Sequence, residues 1–447
     1  MKKMNWLQLL SPERIDPANL SAEPSVISNV RSAFEQDYDR IIFSPAFRFL
    51  QDKTQVFPLP EEGFVHNRLT HSLEVSSVGR SLGKKVGEVL IKKYPELSQA
   101  GISHFDFGAV VAAASLTHDI GNPPFGHSGE SAISDFFKHS DIGQTIKPLV
   151  NASEWADLIN FEGNAQGFRV LLKPANGTKL TLTSLATFTK YPRPALCQQL
   201  IAGRKSQKKY GFYASDAPYF AHIASRLGLI PLSDETWCRH PLTFLVEAAD
   251  DICYHIIDLE DGCALNLVSF DETLSLLSPI LGDKLDIQKL HSYATNQEKL
   301  AILRAMTINQ LIEECTTVFL SHEEDILTGD FDRALTALIP SAVAMKQIQQ
   351  ISIEKIYQSK SVLEKEAAGF EVIEGLLQTF VQAILHQHQQ SDRLNTRDRN
   401  VLKLMSPPNG FTDRSLYEQI RIVLDFISGM TDKHALSLFR TVKGIGF

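Results

Sequence analysis

A chain of 447 residues that is 43% hydrophobic and 21% charged has the composition of an ordinary folded protein, which excludes wholesale disorder. Its formal net charge of −8 excludes a global basic field for nucleic acid, so any anion site must be local. The five cysteines (Cys197, Cys238, Cys253, Cys263 and Cys315) form no CxxC pair, which argues against a disulfide framework or a cysteine-rich zinc site and for a reducing compartment.

The start, MKKMNWLQLL, has too short an apolar run for a signal peptide. The longest apolar stretch, around Val110 to Leu116, is far too short to cross a bilayer. A cytoplasmic protein with no membrane partner is expected. Helical periodicity dominates, and the best β alternation, Leu180-Thr181-Leu182-Thr183, is short. Proline and glycine mark loops at 122–124, 173–177, 191–194 and 406–410. No long polar linker interrupts the chain, so a single mainly α-helical body over 1–447 is expected.

The first helix of interest begins near Val65 and runs toward Lys93. Its apolar stripe is Val75, Val78, Leu82, Val86 and Val89, and His71 and Arg68 share that inward face. The second spans Phe105 to Asp119, is apolar on almost every side and should be buried. His118 and Asp119 form its last turn, before Asn122-Pro123-Pro124 stops it. His127 and Glu130, three apart, open the next helix on one face. From Gly163 to Ser215 there is no Asp or Glu, yet the stretch holds Arg169, Lys173, Lys179, Lys190, Arg193, Arg204, Lys205, Lys208 and Lys209. Such a segment can supply cations to a polyphosphate. Lys190 is the best candidate among them, because Tyr191-Pro192 fixes the chain beside it. The third helix covers Pro241 to Asp261; Val246, Asp250, Cys253 and Ile257 share a face, which points Asp250 inward. Asp250, Tyr254 and Asp258 recur every four residues.

Buried carboxylates and imidazoles need a partner, and a divalent cation would satisfy His71, His118, Asp119 and Asp250 together. Imidazole and carboxylate donors suit manganese, iron, cobalt, nickel or zinc, and magnesium less well. Each residue also has a plain reading. An inward histidine is often a satisfied core residue, Asp250 a helix-packing hydrogen bonder, and Glu130 a helix N-terminal charge. Asp258 can be part of a surface ladder, and the RKSQKK run at 204–209 a solvated patch or nucleic-acid contact.

Seven segments taken together resemble the deoxyguanosine triphosphate triphosphohydrolase family of HD-domain proteins. They are DRIIFSPAFRFLQDKTQVFPL (39–59), NRLTHSLEV (67–75), LTHDIGNPPFGHSGE (116–130), FEGNAQGFR (161–169), FTKYPRP (188–194), EAADDICYHIIDLED (247–261) and FISGMTDKHAL (426–436). The resemblance implies an all-α fold, with an HD phosphohydrolase core at 64–261 and a C-terminal helical region at 265–447 for packing and assembly. It implies one divalent metal ion per subunit on His71, His118, Asp119 and Asp250. Manganese or magnesium stands first, with iron, cobalt, nickel or zinc as alternatives. His127 and Glu130 match the family's catalytic pair. Arg68, Lys190, Tyr254 and Asp258 match phosphate and deoxyribose contacts, and Gln55, Asn164 and Gln166 look like further substrate-pocket residues. The implied reaction splits a deoxynucleoside triphosphate, dGTP by default, into deoxynucleoside and inorganic triphosphate. The implied partners are a nucleotide activator, a homo-hexamer and single-stranded DNA. The chain departs from the family at Phe49, where members often carry a second arginine. The other readings are an HD phosphohydrolase for another nucleotide and a non-catalytic regulatory or single-stranded-DNA-binding protein.

Overall fold

The structure is a computed structural model that describes residues 3–16, 21–23, 31–56, 66–173, 178–389 and 394–446. Val65, residues 57–59 of the quoted N-terminal segment and residues 174–177 of the expected loop lie outside the described residues. The fold is all-α, as expected. Its described strands are two short antiparallel pairs, β1 (Arg14–Asp16) with β2 (Ser21–Glu23) and β3 (Pro231–Ser233) with β4 (Thr236–Trp237).

Ten helices build the site and its support. They are α1 (Ala33–Phe43), α2 (Arg68–Lys93), α3 (His104–Thr117), α4 (Gly126–His139) and α5 (Gly163–Leu172), then α6 (Thr243–Ala264), α7 (Asn296–Ser321), α8 (Lys360–Gln389), α9 (Leu416–Ser428) and α10 (Asp432–Lys443). The start of α2 is set by Asn67, whose side chain accepts the Thr70 N–H while the Thr70 hydroxyl answers the Asn67 N–H. Arg68 and His71 therefore fall in its first turn.

The periodicity was legible in most places. Val75, Val78, Leu82 and Val86 are buried, but Val89 is 43% exposed, and Leu90, four after Val86, takes the inward position instead. In α3 every residue from Asp106 to Thr117 except the half-buried Ala109 is buried, whereas Phe105 in the first turn faces solvent. The alternation at Leu180–Thr183 is not a strand. Thr181 caps a helix over Leu182–Phe188, accepting the Ser184 N–H, and makes only an isolated bridge to Arg14. A polar residue that can cap overrides a four-residue alternation.

Among the described residues two large hydrophobic cores result, beside a small cluster of Ala165, Tyr210 and Tyr213. The first packs α2, α3, α6 and α7 through residues such as Leu82, Val110, Ile252 and Leu311. The second packs α4 against α8, and α8 against α9, through Ile133, Phe137, Phe380 and Leu424. Helix α8 contains the described segment long and apolar enough to cross a membrane, Val362–Gln389, but 61% of its window is buried inside the fold. Its apolar residues are spent on the second core.

The approach of α2 to α3 depends on absent side chains. A Cβ built on Gly83 would lie 2.6 Å from the Phe107 carbonyl oxygen, which cannot yield because it belongs to a helix backbone. This contact sets the spacing between the helices that carry His71 and His118. Replacing Gly83 by leucine should lower stability by about 1–3 kcal/mol or more, read as a lower denaturant midpoint. An unchanged midpoint would show that the two helices can separate at little cost.

Candidate active site

Three helices bring four potential ligands together. His71 comes from the first turn of α2 and is 1% exposed. His118 caps α3 with backbone angles still helical, and Asp119 follows it. The His118 Nδ1 lies 2.7 Å from the Ser115 carbonyl oxygen, which can only accept. Nδ1 therefore carries the proton, and Nε2 presents a lone pair. The Nε2 atoms of His71 and His118 are both buried and have no hydrogen-bond partner. Asp250, from the middle of α6, places Oδ1 3.4 Å from His71 Nε2 and 3.5 Å from His118 Nε2. Asp119 Oδ2 lies 3.6 Å from His118 Nε2. The donor atoms of His71, His118 and Asp119 all fall within 4.8 Å of one another.

These spacings fit a divalent cation, whose bonds of about 2.1 Å to nitrogen and oxygen put neighbouring ligands ~3–3.5 Å apart. The unpartnered imidazole Nε2 atoms are what such an ion would satisfy. Asp250 was expected to point into the core; its side chain is 28% exposed and faces a cavity. Burial alone would push the Asp119 carboxyl up, but the Arg68 guanidinium and the two imidazoles outweigh it and hold it at about 2. Arg68 Nη1 donates to Asp119 Oδ2, and Asn122 Nδ2 donates to Asp119 Oδ1 at 2.6 Å.

Across the cavity, His127 Nδ1 meets Glu130 Oε2 at 2.7 Å in the first turn of α4. Glu130 Oε1 accepts the Gly163 N–H, at the start of α5, at 2.6 Å. Glu130 is buried, but the hydrogen bond to His127 overcomes burial and lowers its pKa. The same bond raises the pKa of His127, whose side chain is 82% exposed and lines the cavity.

The cavity between these two sets has a volume of about 410 Å³, within the range of small-ligand sites. Gln55, Arg68, His118, Asp119, His127, Glu130, Asn164, Lys190, Asp250 and Tyr254 line it, and His71 sits behind Asp250. Lys190 Nζ lies 3.4 Å from Glu247 and 3.8 Å from Asp250; these carboxylates overcome burial and keep it cationic.

Two expected pocket residues are placed elsewhere. Gln166 does not line the cavity: it is fully buried, donating to Asp425 Oδ1 at 2.8 Å and accepting from Arg421 Nη2 at 2.7 Å. Asp258 is buried behind the wall and accepts the Tyr357 hydroxyl at 2.7 Å, with burial pushing its carboxyl well up. The RKSQKK run is not a free surface patch either. Arg204 pairs with Asp332, Lys205 with Glu247 and Lys209 with Glu162, each at 3.1 Å.

The structure adds lining residues that the sequence reading missed, among them Glu247, Tyr357 and Glu366. Glu247 stands three residues before Asp250, a helical spacing that could have exposed it. Tyr357 ends a π-helical turn, Ser352–Tyr357, where the ordinary helical period fails. Its ring lies 5.6 Å from that of Tyr254, forming an aromatic wall.

Comparison with known proteins agrees with this geometry. The HD domain family matches residues 68–159, and the phosphohydrolase-associated domain matches 340–441. A deoxyguanosinetriphosphate triphosphohydrolase-like protein of Synechocystis is 41% identical over 99% of this chain and 100% of its own length. One from Pseudomonas aeruginosa is 39% identical, over 99% of each. The deoxyguanosinetriphosphate triphosphohydrolase of Klebsiella pneumoniae is 30% identical over 99% of this chain and 98% of its own length. A match of this extent, with the His-Asp doublet at the end of α3 inside the HD segment, shows that the chain belongs to the deoxyguanosinetriphosphate triphosphohydrolase-like family of HD-domain hydrolases.

Proposed function

We propose that this hydrolase is a metal-dependent deoxynucleoside triphosphate triphosphohydrolase with dGTP as its substrate. The observation that carries the reading is one cavity bearing His118, Asp119 and Asp250, backed by His71, on one side and the His127–Glu130 pair on the other. The names of the relatives support the substrate class.

His71, His118, Asp119 and Asp250 would hold the cation. When bound there, it supplies Lewis acidity toward a phosphate oxygen. Arg68 and Lys190 stabilise charge on the polyphosphate. Arg68 keeps donors beyond the one given to Asp119, and its Nε has no partner. Water attacks the α-phosphorus, the bond from phosphorus to the 5′-oxygen breaks, and inorganic triphosphate and the deoxynucleoside leave. His127 donates its Nε2 proton to the departing 5′-oxygen. Glu130 favours the imidazolium that this role needs. Gln55 brings a buried, unpartnered Oε1 to the sugar, and the Tyr254–Tyr357 wall, braced by Asp258, packs against the deoxyribose. Glu366 offers a carboxylate to the N1–H and N2–H donors of guanine, a pair no other common base presents.

Product analysis with each of the four deoxynucleoside triphosphates and Mn²⁺, with and without a second nucleotide, tests the reading. Inorganic triphosphate and deoxyguanosine are expected. Orthophosphate as the first product, or no turnover with metal bound, would overturn it.

Asp250→Asn should abolish both turnover and Mn²⁺ retention after dialysis. Full metal occupancy in the variant would remove Asp250 from the ligand set.

The proton donor has a signature in pH. A raised pKa keeps His127 protonated to higher pH, so activity is lost as pH rises through that value. Glu130→Gln removes the charge that raises it, and the alkaline limb of the kcat profile should move to lower pH. A limb that stays in place would dissociate Glu130 from the titrating group.

A further inference from the structure

The bend between the two halves of the site spans the two hydrophobic cores. Ile120 belongs to the first core and Phe125 to the second. Between them the chain passes Asn122, which holds Asp119, and then reaches His127 at the second position of α4. Two successive residues, Phe125 with φ 63° and Gly126 with φ 59°, are left-handed. Glycine adopts this conformation freely, but phenylalanine does so under strain and must be held there.

What holds it comes from outside the HD segment. Asp432 Oδ1 accepts the Phe125 N–H at 3.0 Å, across 307 residues of sequence. Its Oδ2 accepts the Thr54 N–H at 3.0 Å and also the Thr54 hydroxyl. Lys53 Nζ donates to the carbonyls of Asn122 and Ser428, each at 2.7 Å. Asp432 is 1% exposed and opens α10, within the matched phosphohydrolase-associated domain. From the other side the Phe125 ring rests on Gly369 of α8, where an added Cβ would lie 2.6 Å from Phe125 Cγ.

We infer that Asp432 is a positioning residue for catalysis: by fixing the left-handed bend at Phe125, it sets where α4 begins and so where His127 stands relative to His118 and Asp119. The inference rests on the reading of His127 as proton donor. Asp432 touches neither a metal ligand nor His127 and acts through the backbone between them. Its side chain ties three segments that are far apart in sequence, at 54, 125 and 432. An asparagine there can accept only through its one amide oxygen, so it cannot serve both Phe125 and Thr54 as the carboxylate does.

The test is a double-mutant cycle on the full chain with Mn²⁺, using Asp432→Asn, His127→Ala and the double variant. Asp432→Asn should lower kcat about 10- to 100-fold, as a displaced catalytic group does, with KM and metal content within about 2-fold of wild type. The double variant should be no slower than His127→Ala alone, because a misplaced proton donor and a missing one cost the same step. Losses that multiply in the double variant would overturn the positioning role. So would an Asp432→Asn protein that is only less heat-stable and keeps wild-type kcat. Wild-type kcat in His127→Ala would instead sink the proton-donor reading, and the positioning role with it. Should Asp432→Asn fail to fold, Gly369→Ala displaces Phe125 from the opposite side with every polar group intact. It must then show the same fall in kcat and the same non-additivity, and wild-type kcat in it overturns the inference.

Discussion

Two buried imidazole nitrogens without a hydrogen-bond partner are the constraint around which the rest of the chain is arranged. The Nε2 atoms of His71 and His118 lie 3.4 and 3.5 Å from Asp250 Oδ1, and Asp119 Oδ2 lies 3.6 Å from that of His118. Left uncompensated, such a cluster is costly to bury. A cation held between them would satisfy all four side chains. The α2–α3 contact at Gly83 fixes the separation of the first two, and the Ser115 carbonyl fixes the tautomer of His118. Asp250 is delivered from a helix more than a hundred residues further on, by packing α6 against both.

How much of this was legible in the sequence follows from distance along the chain. His71, His118 and Asp119, the His127–Glu130 pair and Asp250 each sit at a helical spacing or a helix end, and local periodicity finds such positions. The misplacements are long-range. Gln166 looks like a pocket residue until Arg421 and Asp425, more than 250 residues away, are seen to occupy its amide. Asp258 fits the ladder of Asp250 and Tyr254, but the partner that withdraws it, Tyr357, lies 99 residues on and in a π-helical turn. The basic stretch gives the same lesson in charge. It reads as free cations because the carboxylates that pair with it, Glu247 and Asp332, come from elsewhere.

The two matched domains are physically one device. The HD segment supplies His71, His118, Asp119 and the His127–Glu130 pair, Asp250 comes from α6 outside both matched segments, and α4 has its apolar face against α8, which belongs to the associated region. The site thus lies on the seam between two cores, and motion of one core against the other would change the distance from His127 to the ligand cluster without disturbing either set internally. The buried polar contacts at the seam, with Lys53 and Asp432 among them, limit that motion. Burial pushes the Lys53 ammonium down to about 7, with the Arg68 charge adding to the effect. The seam is therefore held by a group that gives up its proton readily.

The dependence of α4 on α8 also orders events during synthesis. Helix α4 ends at His139 and α8 begins at Lys360. The ribosome adds residues at about 5–20 per second, so roughly 10–45 s separate the emergence of the two. Through that interval Ile133, Phe136 and Phe137 have no covering layer from α8, and the nascent chain presents them to water or to a chaperone. The part of the first core built on α2, α3 and α6 can form before α8 emerges, and Met345, Ile348 and Val362 complete that core later. The growing polypeptide would then hold His71, His118, Asp119 and Asp250 near one another with His127 still unplaced until α8 leaves the tunnel.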